Sequence, residues 1–152
     1  MKTGTKNVKK FILVMQPTGT EIPQEKLSTS VDCCRVLRRV HCLEGNEMQE
    51  FFYVLFLNRA NKPTGYYFAS MGGVTGTVAD PRLIIKAAAL ANCTSIVLCH
   101  NHPSGNLTPS RADEELTQRI KHAASFFDIK LLDHVILNED AEYYSFADNG
   151  LI

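Results

Sequence analysis

Two histidines separated by one residue, and a serine and an aspartate that follow them, are the side chains in this sequence best suited to chemistry. His100 and His102 flank Asn101 directly after the apolar segment SIVLC. In an extended chain, residues two apart project to the same side, so both imidazoles can reach one ion. Ser110 and Asp113 are three residues apart, the spacing that places two side chains on one face of a helix. Two imidazoles and a carboxylate can bind zinc and leave a fourth position for water.

The helix that carries Ser110 and Asp113 is predicted to begin at Pro109, because proline suits the first helical position. Thr108 would then be the N-cap. The competing interpretation of SRAD is a capping box between Ser110 and Asp113. If Thr108 is the cap, Asp113 lies too far into the helix to reach back, and its carboxylate is free for a metal.

The surrounding pattern predicts the elements that position these residues. Strands are expected at 10–16, 50–58, 64–71, 94–100, 129–137 and 142–148. Helices are expected at 31–42 (with Val31, Cys34 and Leu37 on one face), at 81–92 (with Asp80 as N-cap and Asn92 as C-cap) and at 110–127. This order indicates an α/β fold with a mixed β-sheet sandwiched by helices. We expect a single domain, in which 1–44 supplies an N-terminal strand and helix and 45–152 forms the core.

Composition narrows the class of protein. The 16 basic and 16 acidic residues balance, which gives no general attraction to nucleic acid. The five cysteines (Cys33, Cys34, Cys42, Cys93 and Cys99) are odd in number and form no CxxC, which favours reduced thiols in the cytoplasm. The N-terminal apolar segment FILVM is too short for a signal peptide, and no run has membrane-spanning length.

The string HNHPSGNLTPSRAD, residues 100–113, resembles the JAMM (JAB1/MPN/Mov34) metalloprotease motif, in which H-x-H-P is followed by S-x-x-D. HNHPSG with TPSRAD is similar to the RadC-like branch of that superfamily, and DPRLIIKAAALANCTSIVLCHNHPSG and LLDHVIL extend the resemblance over about 45–147. The resemblance implies a three-layer fold of the cytidine-deaminase type. It also implies one Zn²⁺ per chain, held by His100, His102 and Asp113, with Ser110 stabilising an oxyanion.

The same resemblance implies a catalytic glutamate at the start of a strand. Glu50 stands in that place, directly before the apolar strand, and Glu47 and Glu44 are the alternatives. Farther along, Asp133 and His134 are neighbours in a predicted strand and project to opposite faces. We expect them to have a structural or ligand-supporting role rather than to bind the metal.

The function that this resemblance implies is zinc-dependent hydrolysis of an amide bond in a peptide or protein. One alternative is a DNA-repair or recombination protein of the RadC type, against which the balanced charge and the absence of a helix-hairpin-helix signature speak. Another is a non-catalytic zinc-containing binding module, which would need a fourth protein ligand that the sequence near 100–113 does not offer. Iron or manganese would also suit the ligand set.

Overall fold

The computed structural model describes residues 19, 21–44, 49–72 and 79–152, with the side chains of 41–44 outside that description. The described helices are α1 (Ser30–Glu44), α2 (Pro81–Leu90) and α3 (Arg111–Ser125). The described strands are β1 (Phe51–Leu57), β2 (Pro63–Met71), β3 (Ser95–Asn101), β4 (Lys130–Leu137) and β5 (Tyr143–Ser145). None of the described helices is both long enough and apolar enough to span a membrane.

The five described strands form one mixed sheet in the order β2-β1-β3-β4-β5. β3 runs parallel to β4, and the other neighbouring pairs are antiparallel. Because a parallel pair needs a long crossover, α3 connects β3 to β4 and returns the chain to the same end of the sheet. The carboxyl end of β3 and the beginning of α3 therefore lie close to each other, which is where the histidines and the aspartate are found.

Helices cover both faces of this sheet. The alternating residues of β1 separate into two apolar clusters, one with Tyr53 and Leu55 and the other with Phe52 and Val54. The first cluster includes buried residues of α1, and the second includes buried residues of α2 and α3. The central strands β1 and β3 are buried along their whole length, as expected for strands covered on both sides. The predicted α/β fold with a mixed sheet between helices is confirmed.

Most of the predicted elements are present, although one cannot be compared and some details of the others differ. The expected strand at 10–16 lies outside the described residues. Val31, the second residue of α1, is 61% exposed, so it does not share the buried face of that helix with Cys34 and Leu37. The C-cap of α2 is Ala91 rather than Asn92, and Asn92 follows it with a φ of 50°, the left-handed conformation that asparagine tolerates just after a helix.

The described cysteines are free thiols. Cys33, Cys34, Cys93 and Cys99 are all buried and unpaired. Burial raises the pKa of Cys93 to about 11 and those of Cys33 and Cys34 to about 12. These thiols are therefore protonated packing groups at neutral pH.

Candidate metal centre

His100 lies at the buried end of β3. Its backbone is paired with Phe52 on β1 and Ile136 on β4, and its side chain is 0% exposed. The imidazole stacks on the Phe52 ring at a centroid distance of 5.9 Å and an interplanar angle of 6°. Cys99 faces the cluster on the opposite side of the sheet, as the alternation of the strand predicted. A histidine in this position has few rotamers available, which fixes its Nε2 atom in space.

A tight turn positions His102. The backbone N–H of Gly105 donates to the carbonyl of His102 at 2.9 Å, and Gly105 has a φ of 74°, which a glycine adopts without strain. The turn PSG reverses the chain, so that the carbonyl oxygen of Asn106 contacts His102 Nδ1. A carbonyl can only accept, so His102 Nδ1 carries the hydrogen and its Nε2 faces the site. This explains why the motif ends in Pro-Ser-Gly.

Asp113 reaches the site from the first turn of α3, and the structure corrects the predicted start of that helix. Ser110, not Thr108, is the N-cap, and Ser110 and Asp113 form the capping box that the sequence analysis disfavoured. Asp113 Oδ2 accepts from Ser110 N at 2.7 Å and from Ser110 Oγ at 2.6 Å. The carboxylate is thus held by the cap rather than free. Because its Oδ1 lies toward His100, the cap orients the carboxylate for the site.

The three side chains converge on one point. His100 Nε2 lies 3.0 Å from His102 Nε2 and 3.4 Å from Asp113 Oδ1, and His102 Nε2 lies 3.7 Å from Asp113 Oδ2. One potential ligand atom from each residue lies within 4.8 Å of the others, so the group could hold a metal ion. The structure brings together the three residues that the sequence predicted as ligands.

The electrostatics of this cluster favour a positive charge at its centre. Burial alone would raise the pKa of Asp113, but the imidazoles of His100 and His102, which donate to its charged form when they are protonated, outweigh it and hold the pKa well below its usual range. The nearby carboxylate of Asp113 raises the pKa of His102, because it favours the protonated ring, and the charge of Glu50 adds a smaller effect in the same direction. A site that attracts a proton in this way also attracts a cation.

Glu50 lies close enough to this cluster for its charge to act on His102. The residue between the two histidines fixes the backbone on either side of Glu50. Asn101 Nδ2 donates to the carbonyl of Gln49 at 2.9 Å, and Asn101 Oδ1 accepts from the backbone N–H of Phe51 at 2.8 Å. Glu47 lies outside the described residues, as does the side chain of Glu44, so the choice of Glu50 stays a prediction.

Two fully buried residues, His134 and Thr117, lie behind His100. His134 Nε2 is 2.8 Å from His100 Nδ1, and its Nδ1 is 2.6 Å from Thr117 Oγ1. Burial lowers the pKa of His134 well below its ordinary value, so this ring is neutral. His134 supports a ligand and is not one of the three converging groups, which agrees with the expectation from the strand pattern. His122, in contrast, is exposed on α3.

Three supports of the site were not predicted from the sequence: Thr117, Asn106 and the pair of backbone hydrogen bonds made by Asn101. Thr117 is four residues after Asp113 and therefore lies on the same helix face, which is a signal that was available. The role of Asn106 depends on the conformation of the turn, and that of Asn101 depends on the pairing of β1 with β3.

A cavity of about 300 Å³ opens beside His102. It is bounded by the HNHPSG turn on one side and by the end of β4 with the following turn on the other, and its lining includes Arg38, Asn101, His102, Pro103, Leu137 and Asn138. The guanidinium of Arg38 is held in place there, since it donates to the carbonyls of Asn138 and Glu142 at 2.7 and 2.6 Å.

The fold and the site together define an α/β protein with a His-x-His and aspartate cluster at the end of its central strand. Residues 27–151 match the family described as the RadC-like JAB domain, and the chain belongs to this family. The matched region includes helix α1 as well as the strands and helices that carry the site.

Proteins of this family from several bacteria are similar to the chain. A UPF0758 protein of Flavobacterium johnsoniae is 42% identical over 127 residues, which cover 84% of this chain and 54% of that protein. A UPF0758 protein of Porphyromonas gingivalis is 45% identical over 104 residues, 68% of this chain and 46% of the relative. The UPF0758 protein YfjY of Escherichia coli is 38% identical over 110 residues, 72% of this chain and 68% of its own length. The chain spans about half the length of the first two relatives.

Proposed function

We propose that this domain is a zinc-dependent hydrolase of amide bonds, a metallopeptidase or isopeptidase of the JAMM type. The observation that carries the proposal is the convergence of His100, His102 and Asp113 beside Glu50. The resemblance of HNHPSGNLTPSRAD to the JAMM motif supports the same conclusion.

The donor set fits zinc. Zinc bonds of about 2.0–2.1 Å at tetrahedral angles place two ligand atoms roughly 3.3 Å apart. The separations between the three converging side chains are 3.0, 3.4 and 3.7 Å, which bracket that value. Calcium and magnesium favour all-oxygen ligand sets, so two imidazole nitrogens argue against them. Iron and manganese remain compatible with the ligand types, and zinc suits them best.

An open ligand position favours catalysis over a structural role. Structural zinc sites are usually closed by four protein ligands, whereas catalytic sites have three and keep one position for water. Among the residues that the structure describes, the candidate group has three members, His100, His102 and Asp113. This supports a hydrolase rather than a binding module in which zinc only stabilises the fold.

The chemistry divides between the ion and the side chains. When bound, zinc would supply a Lewis acid that lowers the pKa of water and polarises a carbonyl. Glu50, on the side of His102, would accept the proton of the attacking water and deliver it to the departing amine. The half-buried position of Glu50 and the clamp that Asn101 makes on its neighbours would hold its carboxylate for both transfers.

Ser110 would stabilise the developing oxyanion. Its hydroxyl donates to Asp113 Oδ2 at 2.6 Å and accepts from Asp113 N. A hydroxyl hydrogen rotates easily, so Ser110 can turn its donor toward a substrate oxygen while its own oxygen still caps the helix. The loss of one such donor typically slows an enzyme by about 10²–10³-fold.

The proposed substrate is an amide in a peptide or a protein. Of the three converging residues, His102 lines the cavity, which offers room for the chain that flanks the scissile bond. Its lining combines apolar surface from Pro103 and Leu137 with the amides of Asn101 and Asn138, which suits a polypeptide better than a polyanion. We propose no nucleic-acid partner, because basic and acidic residues balance.

The proposal is tested with zinc-loaded protein and a random peptide library with blocked N-termini, together with isopeptide-linked peptide pairs, analysed by mass spectrometry for new termini. We expect cleavage by the wild type and none by Glu50→Gln, with equal zinc content in both. Arg111→Gln is a matched control, because Arg111 is exposed and pairs with Glu115 on α3. Cleavage that persists in Glu50→Gln would refute the role of Glu50, and no cleavage by zinc-loaded wild type would refute the proposed activity.

A further inference from the structure

His134 and Thr117 form a hydrogen-bonded chain that connects two of the three converging residues. Thr117 Oγ1 lies 2.6 Å from the backbone carbonyl of Asp113 and 2.6 Å from His134 Nδ1. His134 Nε2 lies 2.8 Å from His100 Nδ1. This series of hydrogen bonds begins at the backbone carbonyl of Asp113 and ends on the imidazole of His100. His100, Thr117 and His134 are each 0% exposed, so water does not share these bonds.

The direction of each hydrogen bond in this series follows from the carbonyl of Asp113, at which the series begins. A backbone carbonyl only accepts, so the single hydroxyl hydrogen of Thr117 points to Asp113. Thr117 Oγ1 must then accept from His134, which places the hydrogen of that ring on Nδ1. A charged imidazolium at a fully buried position would carry the desolvation cost of an ion, so the neutral ring is favoured. His134 Nε2 is therefore an acceptor.

An acceptor at His134 Nε2 decides the tautomer of His100. The hydrogen of His100 must lie on Nδ1, facing His134, and its Nε2 then presents a lone pair to His102 and Asp113. The other tautomer of His100 would direct an N–H at the point where the three groups converge and would bind no cation. Fixing the tautomer by a bond to the distal nitrogen is how supporting residues increase the metal affinity of a histidine ligand.

Packing keeps His134 from rotating away from this arrangement. Its ring stacks on Phe146 with a centroid distance of 4.6 Å and an interplanar angle of 18°, and the centroid of the Phe52 ring lies 5.5 Å away. Its backbone N–H is bound by the side chain of Asp133 at 2.7 Å. The ring therefore exchanges hydrogen bonds only with His100 and Thr117 among the contacts described for it.

We propose that His134 and Thr117 are positioning residues that hold His100 in its Nδ1–H tautomer and so prepare its Nε2 for a metal ion. This inference rests on the metal site of the proposed function but not on the identity of a substrate. His102 acquires the same tautomer by an independent route, through the carbonyl of Asn106. It therefore serves as an internal reference in the same molecule.

The first test reads the tautomers directly. Long-range ¹H–¹⁵N correlation spectra of the metal-free protein, labelled at histidine, distinguish Nδ1–H from Nε2–H rings. We expect His134 and His100 to be Nδ1–H tautomers in the wild type. In Thr117→Val we expect His134 and His100 to be no longer confined to the Nδ1–H tautomer, while the spectrum of His102 is unchanged. A spectrum of the wild type that shows His134 with its hydrogen on Nε2 would overturn the inference, and this result does not depend on how tightly the protein binds zinc.

The second test measures zinc affinity by competition with a chromophoric chelator. We expect Thr117→Val to weaken zinc binding by about 10–100-fold, as for other residues that orient a histidine ligand. Thr117→Ser keeps the hydroxyl and should restore most of the affinity. Thr64→Val is the matched control, because Thr64 also donates to a backbone carbonyl, that of Phe56, at 3.3 Å in the β1–β2 hairpin.

The outcomes separate the two proposals. Zinc affinity in Thr117→Val equal to that of the wild type, or a loss of affinity that Thr117→Ser does not reverse, would contradict the positioning role. A wild type that binds no zinc would contradict the proposed function, and the tautomers of His100 and His134 would still be read from the metal-free spectra.

Discussion

Replacement of Asn101 by alanine tests whether the residue between the two histidines holds the strand that follows Glu50. Asn101 is 6% exposed, and its amide binds the backbone of Gln49 and of Phe51 at 2.9 and 2.8 Å. Alanine removes both bonds. Phe51 is 2% exposed, so water does not readily replace Asn101 Oδ1 at its N–H, whereas the carbonyl of the half-buried Gln49 can bind water.

The magnitude follows from that difference. A buried backbone donor without a partner costs about 1–3 kcal/mol, and a hydrogen bond exchanged for one with water costs about 0.5–1.5 kcal/mol. We therefore expect Asn101→Ala to lower the free energy of unfolding by about 2–4 kcal/mol. Asn58→Ala is the matched control. This variant also loses two hydrogen bonds to the backbone, from the N–H groups of Ala60 and Lys62. They lie in an exposed turn, where water can take the place of the lost side chain.

The assay is urea denaturation of the metal-free proteins, followed by zinc titration of the folded variants. We expect the unfolding free energy to fall for Asn101→Ala by at least about 1 kcal/mol more than for Asn58→Ala. Zinc affinity should be little changed, because Asn101 contacts none of the three converging side chains through the bonds that it makes. An equal loss of unfolding free energy in the two variants would show that water replaces the hydrogen bonds of Asn101, and would refute the claim.

Three further predictions concern the cluster itself. Ser110→Ala should destabilise the protein by about 1 kcal/mol through loss of the N-cap; an equal loss in Thr108→Ala, measured by the same denaturation, would mean that α3 begins earlier. Zinc affinity should fall by about tenfold per pH unit below the pKa of His102, because Asp113 raises that pKa above 6.5 and the proton competes for the ring; calorimetric affinities that are constant between pH 8 and pH 5.5 would contradict this. Zinc at a hundred times its dissociation constant should add about 2.7 kcal/mol of stability, or roughly 5–11 °C in Tm, to the wild type and none to His102→Ala; equal shifts in scanning calorimetry would show binding elsewhere.

The sequence predicted the fold and the three converging residues because both depend on local patterns. Apolar runs such as 51–57 and 95–99 identify buried strands, and the alternation within a strand places His100 and His102 on one side. The predicted start of α3 was wrong because both Pro109 and Ser110 suit the beginning of a helix. Only the observed backbone decides between them.

Contacts between distant segments were beyond the reach of the sequence. The clamp of Asn101 on Gln49 and Phe51 joins residues about fifty positions apart through the antiparallel pairing of β1 and β3. The bond between His134 and His100 depends on the parallel register of β3 and β4, in which a one-residue shift would turn His134 to the opposite face. Side-chain types predict what can bind a metal, whereas register decides which residues support the ligands.

The most direct test of the central claim is the zinc content of the purified protein after excess metal has been removed, with the wild type beside His100→Ala and Asp113→Ala. His122→Ala is the matched control, since His122 is exposed on α3 away from the cluster. We predict a single zinc ion per chain in the wild type and in His122→Ala, and none in the other two variants. A wild type without bound zinc, or retention of zinc in both His100→Ala and Asp113→Ala, would contradict the metal site.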